Sequence, residues 1–303
     1  MISNQALGLW RRIRRRIART GLSLDTLAAA QGELTAVEAD LPAHLWAYRE
    51  ILGPWLAEAA AAGDLADQLV RWLHRHNQFL YATAQTRAEL AQVYVQAMAD
   101  TAELMAEARA QSEIEAGLPE LFAEHHQRLA LALKVAFGAR LRDTVQAEYS
   151  PGLQLAMLGL DRVETPVLDV GCGATGALVA HLRAAGIEAM GMDRDAQGPG
   201  TVMGDWLTQD FGRGVWGTVT SHLGFSLHFL HHHLSGHDLA YDYARAYRRI
   251  LASLKVGGRF AYAPALPFVE DVLGEGYGVE RRSLDSYGGS LPIESSTVVT
   301  RLV

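Results

Sequence analysis

The chain has 303 residues, a formal net charge of −7 and 49% hydrophobic residues. This length suits one large or two ordinary domains, and the negative charge argues against a general polyanion binder. No apolar run reaches the roughly eighteen residues that would predict a membrane span. Its single cysteine, Cys172, excludes an internal disulfide and fits a reducing compartment, so we expect a cytoplasmic protein.

A cluster of arginines lies near the start of the chain, where six of the nine residues from Arg11 to Arg19 are arginine. Such a run is compatible with an RNA or anionic-membrane patch, or with a targeting helix. We favour an exposed helix face that pairs with the acidic remainder or with a partner subunit. Residues 1–30 lack the apolar segment of a secretory signal.

Residues 1–150 are predicted to form a separate helical domain. They are rich in Ala, Leu, Glu, Gln and Arg, and their apolar residues recur at spacings of three and four. We expect five to seven helices, with starts near Asp64 and Pro119. Breaks are predicted near Gly21, Leu41-Pro42, Gly53-Pro54, Gly63-Asp64 and Gly117-Leu118-Pro119. This domain is interpreted as a lid, a substrate domain or a homodimer interface.

Residues 151–303 are predicted to form a second, α/β domain. The boundary is placed at Tyr149-Ser150-Pro151, because a proline there stops one helix and can begin the next. From Thr165 onward, predicted strands alternate with helices, which is typical of a doubly wound parallel sheet. Ligands of such sheets bind at the carboxyl ends of the strands.

A glycine-rich turn follows the first predicted strand of this domain. The sequence of Val167–Gly176 is VLDVGCGATG, in which Gly171, Gly173 and Gly176 have the spacing G-x-G-x-x-G. Glycines permit positive φ and remove Cβ atoms that would block a ligand lying against the backbone. The spacing alone is shared by dinucleotide sites and by sites for other adenosine ligands.

Acidic residues after three strands discriminate between those ligands. Asp169 precedes the glycines, where it disfavours a pyrophosphate but tolerates a cationic or amine-bearing ligand; it could instead hold the turn by accepting backbone hydrogen bonds. Asp193 ends the second strand and could accept both ribose hydroxyls. Asp205 could take an adenine amino group, and Trp206 could cover the ring.

The fourth predicted strand, Trp216–Ser221, is followed by a histidine-rich segment. A histidine there could act as a general base, and His222 and His228 are the candidates. Pairs spaced by four residues, such as His228 and His232, also suggest metal binding, but no accompanying metal motif is present and we predict no metal site. Packed or solvated histidines are the structural alternative.

Together these motifs resemble the class I S-adenosylmethionine-dependent methyltransferase superfamily, over roughly residues 151–303. The resemblance rests on VLDVGCGATG, on GMD at the second strand, on GDW at the third motif and on ILASLKVGGRFAYAPAL. It implies a Rossmann-like sheet of seven strands with the last one antiparallel, and S-adenosylmethionine as cofactor. It also implies that Ser221, at the end of the fourth strand, and Tyr149 with Gln154, at the domain junction, lie around the cofactor. Tyr149 is a further catalytic candidate beside His222 and His228.

The resemblance does not identify the acceptor. The D/N-P-P-Y tetrad of amino-methylating nucleic-acid enzymes is absent, since Ser221-His222-Leu223-Gly224 occupies its place, so we expect a small-molecule substrate. A second hypothesis is cyclisation of the cofactor to azetidine-2-carboxylate with release of methylthioadenosine, as in azetidine-2-carboxylate synthases, which would belong to secondary metabolism. An RNA methyltransferase using Arg11–Arg19 and a non-catalytic binding protein are further alternatives.

Overall fold

The computed structural model describes residues 40–56, 60–144, 149–284 and 293–303. The arginine segment Arg11–Arg19 therefore lies outside the described residues. The chain divides into two compact units, Met1–Gln146 and Ala147–Val303. This division falls four residues before the boundary that the sequence suggests. The role of the helical unit stays a prediction.

The described part of the first unit is helical. Four α-helices are followed by a short 3-10 turn at Gly138–Arg140: α1 Leu41–Leu56, α2 Ala60–His76, α3 Ala84–Glu107 and α4 Gln111–Phe137. Leu69, Leu73, Leu90 and Leu133 are at most 4% exposed and belong to one apolar cluster. None of the helices described in either unit is both long and apolar enough to cross a membrane.

Three of the predicted helix breaks of this unit are wrong, whereas the break predicted at Leu41-Pro42 coincides with the start of α1. Gly53-Pro54, Gly63-Asp64 and Gly117-Leu118-Pro119 all lie inside helices, and neither Asp64 nor Pro119 begins one. At Gly117 the reason is a close packing contact, because a Cβ atom there would lie 2.8 Å from Cδ1 of Leu104 on α3. Burial of the neighbouring Leu118 outweighs the local cost of glycine and proline within α4.

The second unit contains a seven-stranded sheet. Its strands are β1 Val167–Val170, β2 Ala189–Asp193, β3 Thr201–Met203, β4 Trp216–His222, β5 Leu254–Ala263, β6 Tyr277–Ser283 and β7 Ser295–Arg301. They lie in the order β3-β2-β1-β4-β5-β7-β6. The first five strands pair in parallel, whereas β7 is antiparallel to both β5 and β6. The seven strands and the antiparallel final strand confirm the predicted fold class.

Helices cover both faces of this sheet. They are α5 Pro151–Met157, α6 Ala177–Ala184, α7 Phe225–Leu234, α8 Leu239–Ser253 and the short α9 Pro267–Glu270. Met157 of α5 packs with Ala261 and Ala263 of β5. On the opposite face, Phe260 of β5 contacts rings from α7 and α8. The two-residue period of the strand thus separates the two layers.

Two local predictions of the α/β half have different outcomes. Pro151 begins α5, as expected, and Oγ of Ser150 accepts a hydrogen bond from the Leu153 amide at 3.4 Å. The turn predicted at Lys255 and the following glycines lies within β5. The register jumps there, since Trp216 pairs with Leu254 but Thr218 pairs with Arg259. This irregularity is a bulge, which lets a tight turn sit inside a strand.

A glycine substitution in β4 tests this packing. A Cβ atom at Gly217 would lie 2.6 Å from the carbonyl oxygen of Glu164 and 2.7 Å from that of Thr165. Because both contacts are with backbone, Gly217→Ala should lower the free energy of unfolding by about 1–3 kcal/mol. In the same unit, exposed Gly152 of α5 has open space around it. Gly152→Ala should therefore raise the free energy by about 0.4–1 kcal/mol. Urea unfolding measures both, and equal stabilities would contradict the packing described here.

Candidate functional site

The glycine turn leaves backbone open at the carboxyl end of β1. Gly171 has φ 86°, and its amide donates to the Met192 carbonyl at 2.8 Å, which ties the turn to β2. Gly173 has φ 71°, is exposed, and has no heavy atom within 4 Å of the place where a Cβ would be. Gly176 is the residue before α6, and a Cβ there would lie 2.4 Å from Thr201 Cγ2. A ligand can therefore approach the backbone at Gly173, while the other two glycines allow close packing.

A second glycine, Gly224, lies directly against this turn. A Cβ built on Gly224 would lie 3.0 Å from the Cα of Gly171, and one built on Gly171 would lie 2.9 Å from the Cα of Gly224. The turn after β1 and the turn after β4 are therefore in backbone contact. The preceding Leu223 has φ 56°, a costly conformation for a bulky residue. Gly224 is not among the residues predicted from the sequence, although a glycine two residues after a strand is a usable signal.

Asp193 joins the end of β2 to the glycine turn. Its Oδ2 accepts a hydrogen bond from the Gly173 amide at 3.2 Å, and its Oδ1 accepts one from the Asp195 amide at 3.1 Å. The side chain is half-buried. A carboxylate at this place can accept hydroxyl hydrogen bonds from a ligand that lies on the open backbone of Gly173.

Asp169 is a buried carboxyl at the end of β1. It is 2% exposed, and its Oδ1 accepts a hydrogen bond from Oγ1 of Thr220 on the adjacent strand β4 at 2.8 Å. The pKa of Asp169 is raised to about 7, mainly by burial and also by nearby Asp193, against the opposing effect of the Thr220 hydrogen bond. Near neutral pH this side chain therefore exchanges between its protonated and ionised forms.

Asp205 and Trp206, the third-motif candidates, have different environments. Asp205 is half-buried, and its Oδ1 accepts a hydrogen bond from the Leu207 amide at 2.9 Å. Trp206 is only 3% exposed, and its ring has edge contacts with Phe225 and His228. The Arg194 guanidinium lies over the Trp206 ring, 5.4 Å from its centroid. Because the ring is buried among these neighbours, the structure does not support the predicted stacking of Trp206 on a ligand ring.

Two further candidates also belong to the core. His228, on α7, packs near Trp206 and Tyr243 in the layer that contacts Phe260, on the face of the sheet opposite to α5 and His222, so the structure does not support its predicted role as general base. Ser221 is fully buried, and its Oγ accepts a hydrogen bond from the Phe225 amide at 2.9 Å. This serine fixes the turn after β4 rather than facing a ligand, which corrects its predicted place at the cofactor.

His222, Tyr149 and Gln154 form a group on the face covered by α5. The His222 ring has an edge contact with Tyr149 at a centroid distance of 4.9 Å, and its Nε2 lies 3.2 Å from Sδ of Met157. Burial lowers the pKa of His222 to about 4, so its imidazole is neutral at physiological pH. Gln154 donates a hydrogen bond to the Tyr149 carbonyl at 2.8 Å. No sequence motif points to Met157.

His222 lies on the same face of the sheet as the Asp169 carboxyl, because side chains alternate between the two faces along a strand. Thr220 and His222 are two residues apart on β4 and so lie on the same face of the sheet. Thr220 contacts Asp169 directly. The site thus has an acidic side at the ends of β1 and β2 and an uncharged side at the end of β4. Among the described residues, no three His, Cys, Asp or Glu side chains group as ligands for a metal ion.

Comparisons with known proteins give only distant structural neighbours. No protein-family model and no curated protein sequence matches the chain. Among solved structures, a TehB-like SAM-dependent methyltransferase from Corynebacterium glutamicum aligns with 20% identity over 51% of this chain and 89% of its own, with a TM-score of 0.36. An rRNA methylase from Streptococcus thermophilus aligns with 12% identity over 52% and 100%, with a TM-score of 0.34.

A third neighbour is the CcbJ methyltransferase from Streptomyces caelestis, at 16% identity over 52% of this chain and 74% of its own, with a TM-score of 0.27. Identities and TM-scores of this size do not assign an activity. The functional assignment therefore rests on the chain's own site.

The buried Asp169 carboxyl should destabilise the ligand-free protein at high pH. Its pKa in the folded protein, about 7, exceeds its ordinary value of 3.8. Between pH 3.8 and pH 7 the folded state therefore binds more protons than the unfolded state does. Stability therefore falls as pH rises through this window, and the full cost is present above pH 7. Since one pKa unit corresponds to about 1.4 kcal/mol, Asp169→Asn should be more stable than the parent at pH 8 by on the order of 2–4 kcal/mol.

Urea unfolding at pH 5, 6.5 and 8 measures this difference. The advantage of Asp169→Asn should grow with pH across the series. Asp210→Asn is the control, because Asp210 is exposed and its Oδ1 accepts a hydrogen bond only from the Gly212 amide among the described residues. Its effect should not change with pH in this way. An advantage of Asp169→Asn that is constant or shrinks as pH rises would contradict the assignment.

Proposed function

We propose that this protein is an S-adenosylmethionine-dependent transferase that methylates a small molecule. The observation that carries the proposal is the placement of two acids at the carboxyl ends of neighbouring parallel strands: Asp193 accepts a hydrogen bond from the open backbone of Gly173, and Asp169 on β1 lies near enough to Asp193 for the two charges to interact. The same edge of the sheet is where ligands of doubly wound folds bind. An adenosine with a cationic amino acid end matches these groups.

The residues of the acidic side would hold the cofactor. Asp193 would accept the ribose hydroxyls, and the backbone of Gly171 and Gly173 would lie along the nucleoside. Asp169 would bind the ammonium group, and Asp205 would accept the adenine amino group. The open backbone at Gly173, which has no Cβ, and the half-buried side chains of Asp193 and Asp205 fit such a ligand. When bound, S-adenosylmethionine supplies an electrophilic methyl group on a sulfonium.

The residues at the end of β4 would serve the acceptor. His222 is neutral at physiological pH, so it can take a proton from an acceptor hydroxyl or amine without first losing one. The Tyr149 ring, at its edge, would position the acceptor. Catalysis of this kind depends mainly on orientation and exclusion of water, so few acid–base residues are needed. The uncharged surroundings of His222, together with the net charge of −7, favour a small neutral acceptor over a nucleic acid.

A specific observation keeps cyclisation of the cofactor as a second candidate. Formation of azetidine-2-carboxylate requires the ammonium group to lose a proton before its nitrogen attacks the γ-carbon and methylthioadenosine leaves. The raised pKa of Asp169 allows this carboxyl to hold a proton near neutral pH, at the place proposed for the ammonium group. No acceptor molecule is needed for this reaction.

Mass spectrometry of the reaction products separates the candidates. We expect S-adenosylhomocysteine to form from S-adenosylmethionine only when a pool of small amines, phenols and alcohols is added. Methylthioadenosine formed from S-adenosylmethionine alone, faster than in buffer, would favour cyclisation. Absence of both products together with absence of S-adenosylhomocysteine binding would overturn the proposed function.

Binding measurements test the proposed ribose contact of Asp193 separately. Asp193→Asn should weaken binding of S-adenosylhomocysteine by at least about tenfold, because a carboxylate that accepts hydrogen bonds from hydroxyls contributes roughly 1.5–3 kcal/mol. Asp210→Asn, on the exposed surface, should bind as the parent does. Isothermal titration calorimetry measures both. Equal affinities of Asp193→Asn and the parent would contradict the placement of the ribose.

A further inference from the structure

Asp169 combines near-complete burial with incomplete hydrogen bonding. The residue is 2% exposed, and within the described part of the chain the Thr220 hydroxyl is the only group that donates a hydrogen bond to its carboxyl, at Oδ1. Oδ2 receives none from these residues. Nor does any Lys, Arg or His among them form an ion pair with Asp169.

The titratable groups around Asp169 do not compensate its charge. Asp193 approaches from the end of β2 and raises the pKa of Asp169. Cys172, in the glycine turn, has its own pKa raised by burial and by both acids, so its thiol stays neutral. His222 on β4 is neutral because burial lowers its pKa to about 4. Thus the surroundings are negative or uncharged on every strand that borders the carboxyl.

A buried carboxylate without a cation is unfavourable, so it either binds a proton or acquires a positive partner. We propose that Asp169 selects ligands by charge: it carries a proton when the site is empty and releases that proton to solvent when the ammonium group of a ligand takes its place. This inference rests on the proposed function. It adds that, on binding, the ammonium group of the ligand replaces the proton on Asp169.

The exchange predicts different behaviour for three related ligands. S-adenosylmethionine and S-adenosylhomocysteine both carry the ammonium group, whereas methylthioadenosine has the same nucleoside without it. Binding of the first two should release up to one proton, and their affinity should rise with pH. Binding of methylthioadenosine should release none, because Asp169 keeps its proton when no cation arrives.

Titration calorimetry between pH 5.5 and 7.0 tests this exchange. An α-amino group titrates near pH 7.7–8.0, so the ligand ammonium stays charged in this range. With the pKa of the empty-site carboxyl near 7, the affinity for S-adenosylhomocysteine should rise about tenfold between pH 5.5 and pH 7.0. Repeating the titration in buffers of different ionisation enthalpy gives the number of protons released. The affinity for methylthioadenosine should stay constant.

Two variants locate the proton on Asp169. Asp169→Asn has nearly the same shape as the protonated carboxyl, so its affinity for S-adenosylhomocysteine should be close to that of the parent at pH 5.5 and more than tenfold lower at pH 7.0. Its binding should release no proton. Thr220→Val removes the hydrogen bond that lowers the pKa of Asp169, so the rise in affinity should move to higher pH. Asp210→Asn should keep the pH dependence of the parent.

Three results would overturn the inference. These are a pH-independent affinity for S-adenosylhomocysteine, an equal pH dependence for methylthioadenosine, and an Asp169→Asn variant that keeps the pH dependence of the parent. Thermal melting shows whether each variant is folded, and Thr220→Val provides the test if Asp169→Asn is not. Failure of the parent protein to bind any of the three nucleosides is a different outcome, since it contradicts the proposed function itself.

Discussion

Contact between the backbones of Gly171 and Gly224 sets the geometry at the carboxyl ends of β1 and β4. It brings the turn after β1 and the turn after β4 to a separation that no side chain at either position would permit. The Leu223 amide donates a hydrogen bond to the Ala263 carbonyl, and Oγ of Ser221 accepts one from the Phe225 amide, so the second turn is fixed at both ends. These bonds allow Leu223 to keep a left-handed conformation. The carboxyl ends of β1 and β4 are therefore held together before any ligand arrives.

The buried position of Asp169 lowers the stability of the folded protein but favours binding of a cationic ligand. A carboxyl 2% exposed, next to a second acid, weakens the folded protein once it ionises, and its shifted pKa expresses that cost. The same absence of a cation makes it a strong partner for an ammonium group. Functional sites commonly contain ionisable groups with shifted pKa values for this reason. On the other side of the site, His222 is shifted in the opposite direction, so both groups are near their uncharged forms when the site is empty.

Local patterns in the sequence predicted the α/β half well and the helical half poorly. The strand ends at Val170 and Asp193, the glycine turn and the helix after Pro151 follow from short motifs, and the structure has them at those positions. The breaks at Gly63 and Gly117 were wrong because packing between helices overrides propensity. The roles of Trp206, His228 and Ser221 depend on which side of a helix or strand meets the core, and no single segment contains that information. Gly224 acts through a residue more than fifty positions away, a contact that spacing alone does not predict.

A crystal structure with bound S-adenosylhomocysteine is the sharpest test of the proposed site. We expect the nucleoside on the open backbone of Gly173, with both ribose hydroxyls within hydrogen-bond distance of Asp193 and the ammonium group at Asp169. The turns at Gly171 and Gly224 should keep their contact. A nucleoside bound elsewhere, or bound beside Gly173 with Asp193 directed away from the ribose, would show that these residues do not form the binding site.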